Sequence, residues 1–434
     1  MKRINLVLLA ALISGTTIAV IGCGGGSSSN SSTPATVQKQ DGYYNVTLDF
    51  TNTSHREVGR QYALAIQKNI PDYESKADAF LASQMAYMGG LDFATIVSRA
   101  QAIYTNIDTN YQDEISGMQD VFNYSVDKLG DGKLSKNELL AMQFFDAFRA
   151  PSCSAAAAFG AGSLNGKAVV GRNVDWMTAS SEPWGSIHSI TTFKYSDKSI
   201  ANIGVVGMLG AFTAFNQNKV FAAMLDGTIG AAYPTDLSNK RSYLFDLRHA
   251  LETYTTKDEV VNYMTSESRS YAVNHLIFIA DELSVGAIEN MVVQLPPYTH
   301  GNRSLRVFSS MLNADVMAVT GQSWNDVNGN PINGAFAVVN DYRLPGNYFT
   351  NEQFNKARWT SYKTQLQSKI SGGNKIDAEG MKAIVWYTGP NEDGIMYNGA
   401  VFVTEPRENY TSTTQYAVPD MPNARPPAYT TIQS

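Results

Sequence analysis

The apolar pattern of this 434-residue chain changes kind at Ser152. Ahead of it, apolar residues recur at helical spacing; beyond it they fall into short β-branched or aromatic runs. In 55–66, Val58, Tyr62 and Ile66 stand four apart and make one stripe. The spacing predicts further amphipathic helices over 73–88, 93–107, 111–126 and 137–149, after a strand-like run at 44–50. Strands are expected at 168–176, 189–195, 201–208, 220–225, 275–280, 287–293, 316–320 and 335–339. Helices are expected at 242–254, at 259–264 behind a Thr256/Glu259 capping box, and at 358–370 and 378–387. No repeat period shows, and the Pro-rich tail from Pro419 reads as extended and exposed. This order says only α+β, and is consistent with sheets packed face to face and covered by helices.

One loop invites two readings. Asp127, Asp131, Gly132, Leu134, Ser135 and Glu138 occupy positions 1, 5, 6, 8, 9 and 12 of a calcium loop, but Leu129 takes a position that needs oxygen. The same residues make a Gly-rich turn whose Ser135 and Glu138 cap the next helix.

The first residues speak to the compartment. Met1-Lys2-Arg3 is followed by an apolar run over 6–21, too short and turn-prone for a good membrane span. It ends Val20-Ile21-Gly22-Cys23, which resembles the lipobox of bacterial lipoproteins. That resemblance implies a leader over 1–22 and a lipid anchor on Cys23, hence a bacterial cell-envelope location on the periplasmic side or outer membrane. The alternative is a plain signal peptide with an incidental cysteine. Residues 24–33 are Gly, Ser, Asn and Thr, and a flexible tether is expected over 23–40. A net charge of −6 gives no electrostatic footprint for nucleic acid. The five histidines and two cysteines lack zinc-ligand spacing, so no metal or cofactor is expected.

If Cys23 is acylated, Cys153 is the one thiol left, with no cysteine to pair with. A lone cysteine is usually a packed apolar residue. A nucleophilic one needs a base and positive charge nearby, and a cysteine at a new chain terminus carries its own base, the α-amine. The context is Pro151-Ser152-Cys153-Ser154, then Val170-Gly171-Arg172-Asn173-Val174-Asp175-Trp176. Cys-Ser followed by a strand ending Gly-Arg-Asn-x-Asp resembles the N-terminal-nucleophile amidases, among them choloylglycine hydrolases, penicillin V acylase, acid ceramidase and penicillin-type acyltransferases. Because the cysteine is internal, the likeness is to the self-processing branch. Glu114-Ile115-Ser116-Gly117, the 210–227 and 274–289 segments, and Asn340 followed by Arg358 resemble further parts of that family. The chain departs from it at Asp226, where the family often has Asn, and at Lys219, where it often has Gly.

The resemblance implies a four-layer αββα sandwich at 153–434 behind a helical pro-segment at 41–152, with Ser152–Cys153 as the scissile bond. It implies Cys153 as nucleophile, its freed α-amine as base, Arg172 steadying the thiolate and Asp175 holding the amine. Arg172 and Asp175 are three apart, so a joint role needs a bulge between them; otherwise the pair is an ordinary salt bridge. Asn340 through its side-chain amide, then Asp226 through its backbone N–H, are the oxyanion candidates. Both also fit plain turns, Asn340-Asp341 after a strand and Asp226-Gly227 in a hairpin. Arg358 could close a charge network or lie on a helix surface. Trp176 and Tyr342 fit an acyl pocket or the core. The substrate class implied is a linear amide or acyl conjugate. Ester or phospholipid hydrolysis on the same fold, a non-enzymatic tethered binding lipoprotein, and a papain-like pairing of Cys153 with His275 are the other readings.

Overall fold

In the computed structural model the residues described are 33–40, 43–85, 91–147, 152–176, 185–227, 236–291, 303–307, 324, 332–344, 353–388, 398–405, 410–416 and 430–433. Met1–Thr33 and Pro34–Ser434 are separate units, and the second carries everything below. The leader, Cys23 and the strand expected at 316–320 lie outside the described residues.

The chain opens with β1 (Ala35–Lys39) and β2 (Tyr44–Asp49), paired antiparallel. The expected tether is thus strand over its last part: Ala35 and Val37 are buried, and alternate residues of β2 follow suit. Helices α1 (His55–Asn69), α2 (Tyr73–Met85), α3 (Phe93–Tyr104), α4 (Thr109–Gln119) and α5 (Lys136–Gln143) follow. The first is capped by Ser54, whose Oγ accepts from Glu57 N at 3.3 Å. α1 and α4 cross so closely that a Cβ on Gly59 would lie 2.0 Å from Glu114 O, and one on Gly117 1.9 Å from Arg56 O. Glycine is the residue that permits this approach.

The turn before α5 has the hydrogen bonds of its capping reading. Ser135 and Glu138 form the reciprocal capping box. Gly130 N and Gly132 N donate to the two carboxylate oxygens of Asp78 on α2, at 2.7 and 2.6 Å. The loop therefore aims its N–H groups at a carboxylate, whereas a calcium loop gathers oxygens on a cation. Among the described residues no three His, Cys, Asp or Glu side chains are grouped to hold a metal. Helix α5 also stops at Gln143 rather than 149, with Phe144 as its C-cap.

Next come β3 (Ser152–Ala158), β4 (Val169–Trp176), β5 (His188–Lys194), β6 (Ser199–Val205), β7 (Thr213–Asn216) and β8 (Phe221–Asp226). α6 (Tyr243–Thr253), α7 (Lys257–Thr265), β9 (His275–Ala280), β10 (Val285–Asn290), β11 (Arg303–Arg306) and β12 (Ala335–Val339) continue the chain. α8 (Gln353–Ser371), α9 (Ala378–Thr388), β13 (Asn398–Glu405), β14 (Tyr410–Tyr416) and β15 (Thr430–Gln433) complete it. The tail read as extended and exposed thus supplies an edge strand, β15, paired with β14.

Two sheets result. One has nine strands in the order β1-β2-β5-β6-β7-β8-β9-β10-β11, antiparallel except for β2 beside β5. The other has six, β12-β3-β4-β13-β14-β15. They face each other where β3 meets β8 and β12 meets β10. α8 and α9 cover the six-stranded sheet, while α6, α7 and α1 lie on the other. That is the α+β, four-layer αββα arrangement. The segment ahead of Cys153 is not merely helical, since β1 and β2 extend the larger sheet.

Candidate active site

β3 and β4 place the sequence motif in register: Cys153 lies opposite Val174, Ser154 opposite Asn173, and Ala155 opposite Arg172. Side chains on a strand alternate between faces, and the contacts show the division. Ser154 Oγ lies 2.9 Å from Tyr362 of α8, and Asn173 Nδ2 donates to Val385 O of α9 at 2.7 Å. Those residues face the helices. A Cβ on Gly171 would meet Val385 Cγ1 at 2.5 Å, so that glycine lets α9 settle on the sheet. Cys153 and Arg172 face the opposite sheet and are fully buried.

The guanidinium of Arg172 is fixed on several sides. Nη1 donates to Thr213 Oγ1 of β7 at 2.8 Å, Nη2 donates to Cys153 Sγ at 3.1 Å and to Met224 O of β8, and the group lies 5.3 Å from the Phe212 ring. The guanidinium is thus placed to meet negative charge on the sulfur.

The backbone of Cys153 is clamped from the other side. Its N–H donates to Asn340 Oδ1 at 2.7 Å, and its carbonyl accepts from Arg358 Nη1 at 3.0 Å. Arg358 Nη2 donates to the same Asn340 Oδ1 at 2.9 Å. Asn340 follows β12, whose Val339 pairs with Ser154, so sheet register delivers it to the cysteine. The residues after it are held in turn: Glu289 on β10 accepts from Arg343 N and Leu344 N and pairs with Arg306, while Arg343 grips Asp341 and lies 3.6 Å over Trp359.

Four of the six expected site residues, Cys153, Arg172, Asn340 and Arg358, thus meet at one point. The other two are placed by their backbones alone. Asp175 stands opposite Ser152, across from the bond ahead of Cys153. No bulge separates it from Arg172, because pairing with β3 and β13 is continuous there; the irregularity a joint role required is absent. Asp226 ends β8 opposite His275. A Cβ on its neighbour Gly227 would lie 2.1 Å from Tyr342 Oη, so Tyr342 is packed against this strand end. The side chains of Asp175, Trp176 and Asp226 lie outside the described residues.

His275 does not fit the papain-like reading. It is buried, stacks on Tyr243 at 4.1 Å, and both ring nitrogens are engaged, Nδ1 with Val273 O and Nε2 with Asn290 Nδ2. Burial pulls its pKa down to about 3, and its contacts leave it no lone pair for Cys153.

Thr213, Met224 and Glu289 lie in the family-like segments 210–227 and 274–289, but their part as supports of the site was not read from the sequence. Their contacts are long-range and use a hydroxyl, a backbone carbonyl and a buried carboxylate, which no local pattern marks.

Neither a protein-family model nor a curated protein matches the sequence. Among solved structures the chain is similar to the N-acylethanolamine-hydrolyzing acid amidase ortholog of Caenorhabditis elegans, at 14% identity and TM-score 0.39, over 58% of this chain and 93% of that one. It is similar to a variant of the conjugated bile acid hydrolase of Clostridium perfringens at 13% identity and TM-score 0.38, covering 65% and 97%. For the penicillin V acylase of Agrobacterium tumefaciens the figures are 10%, 0.33, 65% and 86%.

Proposed function

We propose that this chain is a self-cleaving cysteine hydrolase of the N-terminal-nucleophile class, cutting or transferring the acyl group of a linear amide. One observation carries the reading: the N–H and C=O of Cys153 are both held, by Asn340 and Arg358, while its sulfur rests on Arg172. A merely packed cysteine needs none of these.

In the first step Sγ attacks the Ser152 carbonyl carbon. The Ser152–Cys153 C–N bond breaks, the Cys153 nitrogen takes up a proton, and Ser152 becomes a thioester on Sγ. Water then hydrolyses the thioester, leaving a Ser152 carboxylate and a free Cys153 with amine and thiol. That amine titrates near roughly 8, suited to act as base and then acid at neutral pH. In turnover the amine takes the thiol proton, sulfur attacks the substrate carbonyl, and the protonated amine delivers its proton to the departing nitrogen. Water or an acceptor amine or alcohol then releases the acyl group. Asn340 Oδ1 keeps the amine in place, and its Nδ2 is the donor we assign to the oxyanion, with the backbone N–H of Asp226 as a second. Arg358 holds Asn340 and the Cys153 carbonyl fixed through both stages. We further propose that Cys23 bears a lipid and keeps the enzyme on the cell envelope.

The test is a panel of N-acyl amides and matched esters offered to the full chain, with products and any acyl adduct on Cys153 read by mass spectrometry. Amide turnover with an acyl-Cys153 adduct is expected, abolished in Cys153→Ala. Turnover of esters alone, or activity surviving in Cys153→Ala, would overturn the assignment.

A further inference from the structure

The loop between β6 and β7 links the segment ahead of Cys153 to the guanidinium beside its sulfur. Gln143, the last residue of α5, grips this loop twice: Nε2 donates to Gly207 O at 2.8 Å, and Oε1 accepts from Leu209 N at 3.1 Å. Tyr62 Oη on α1 accepts from Gly207 N at 2.7 Å, and Tyr73 Oη on α2 donates to Val206 O at 3.1 Å. All these partners are buried. Gly207 is at φ +91°, and a Cβ there would lie 1.8 Å from Tyr73 Oη, so the turn admits only glycine.

The same ribbon then reaches the site. Asn202 Nδ2 donates to Gly210 O at 3.0 Å, and its Oδ1 accepts from Phe212 N at 2.9 Å. Phe212 O accepts from Met224 N at 3.0 Å. Phe212, Thr213 and Met224 are the residues that hold Arg172. Three helices of the first segment therefore fix Val206–Leu209, and a few residues on, that ribbon supplies the supports of Arg172.

We propose that Gln143, assisted by Tyr62, is a positioning residue: it sets Arg172 against Cys153 Sγ through the 206–213 ribbon. The segment ahead of Cys153 is then a working half of the site, needed for scission. This rests on the proposed chemistry, and the tests separate the two. Among the described side chains, Arg172 and Arg358 are the charged groups packed on Cys153, from β4 and α8; Thr213 and Met224 bring none.

The experiment compares full-length wild type with Gln143→Ala, Gln143→Glu, Tyr62→Phe and, as control, Gln119→Ala, whose amide bonds an exposed carbonyl, Lys136 O. Self-cleavage is followed from pH 5 to 9 by intact mass, beside thermal melting. Gln143→Ala is expected to slow cleavage at pH 7 about tenfold and to raise the pH of half-maximal rate by about one unit, as the guanidinium's hold on the thiolate loosens. Gln143→Glu, which keeps the acceptor for Leu209 N, should recover part of the rate, and the control should match wild type. A lower melting temperature with an unmoved pH profile would show a structural role only and overturn the proposal. Should Gln143→Ala not fold, Tyr62→Phe carries the same decision. If wild type does not cleave, the proposed chemistry has failed; the 13Cβ titration of Cys153 in the intact chain, assigned by its loss in Cys153→Ala, then decides. A midpoint higher in Gln143→Ala than in wild type upholds positioning, and equal midpoints overturn it.

Discussion

Arg172 reaches Cys153 because Ala155 is its partner across the ladder and the cysteine lies two residues away on the same face. Its planar fork serves Thr213, the sulfur and Met224 O together, which a lysine's point charge cannot do. Arg172→Lys should therefore keep the fold yet slow self-cleavage about a hundredfold, by an effect on the order of 3 kcal/mol. Rates of fragment appearance check this, and a lysine variant as fast as wild type would contradict it. Asn340→Ala should cost about 10²–10³ in kcat on a cleaved enzyme if its Nδ2 meets the oxyanion. A change confined to KM would remove that role. That Cys153, Arg172, Asn340 and Arg358 lie together could be expected from the sequence, the first two from the Cys-Ser and Gly-Arg-Asn-x-Asp motif and the others from a second family-like segment. The geometry of Asn340 could not: its Oδ1 faces the cysteine nitrogen, an orientation settled by Arg358 from α8, far along the chain.

At the level of elements, strands rich in Val, Ile and Phe announced themselves, and β9 and β12 fall where their composition put them. β3 did not. Its Ala155–Ala158 run has little β preference of its own and becomes a strand because β4 and β12 flank it. β1 falls inside the expected tether because five residues of mixed polarity carry no signal until β2 pairs with them. The α1–α4 crossing gives a clear expectation. Gly117→Ala forces a methyl to within 1.9 Å of Arg56 O and should destabilise by about 1–3 kcal/mol or more. Chemical denaturation measures it, and an unchanged midpoint would mean the helices can part without cost. Nearby, Arg248 of α6 lies buried between Glu114 of α4 and Glu252, bonded to both and stacked 3.8 Å from the Phe193 ring. Arg248→Met removes the cation shared by two buried carboxylates, leaving Glu114 with His55 and Glu252 with Tyr111 and Tyr195, and should cost about 3–5 kcal/mol in chemical denaturation; an unchanged midpoint would contradict this.

Across the whole molecule, among the described residues, titratable groups shifted by burial pull stability in opposite directions with pH, His275 and His188 one way and Asp146 the other. His275 is held near 3 by burial, so the fold prefers its neutral form; that contribution is complete above about 6.5 and shrinks as pH falls. Burial lifts Asp146 to about 7, so the fold prefers its protonated form; that contribution is complete below about 3.9 and is lost as pH rises through 7. Between about pH 4 and 6.5 His275, and His188 held near 4, each lose about 1.4 kcal/mol of stability per unit of acidification, and Asp146 offsets one of the two. Asp146→Asn should leave both histidine contributions unopposed, giving a variant that loses stability more steeply on acidification than wild type and gains on it above pH 7. Unfolding free energies at pH 4.5, 6 and 8 check this; parallel curves would contradict it. The central claim concerns the bond ahead of Cys153, and terminal sequencing with intact-mass measurement of the purified full-length chain tests it most directly. Two fragments are expected, one of them beginning at Cys153, with Cys153→Ala remaining whole. A wild-type chain that stays whole, with Ser152 still joined to Cys153, would contradict it.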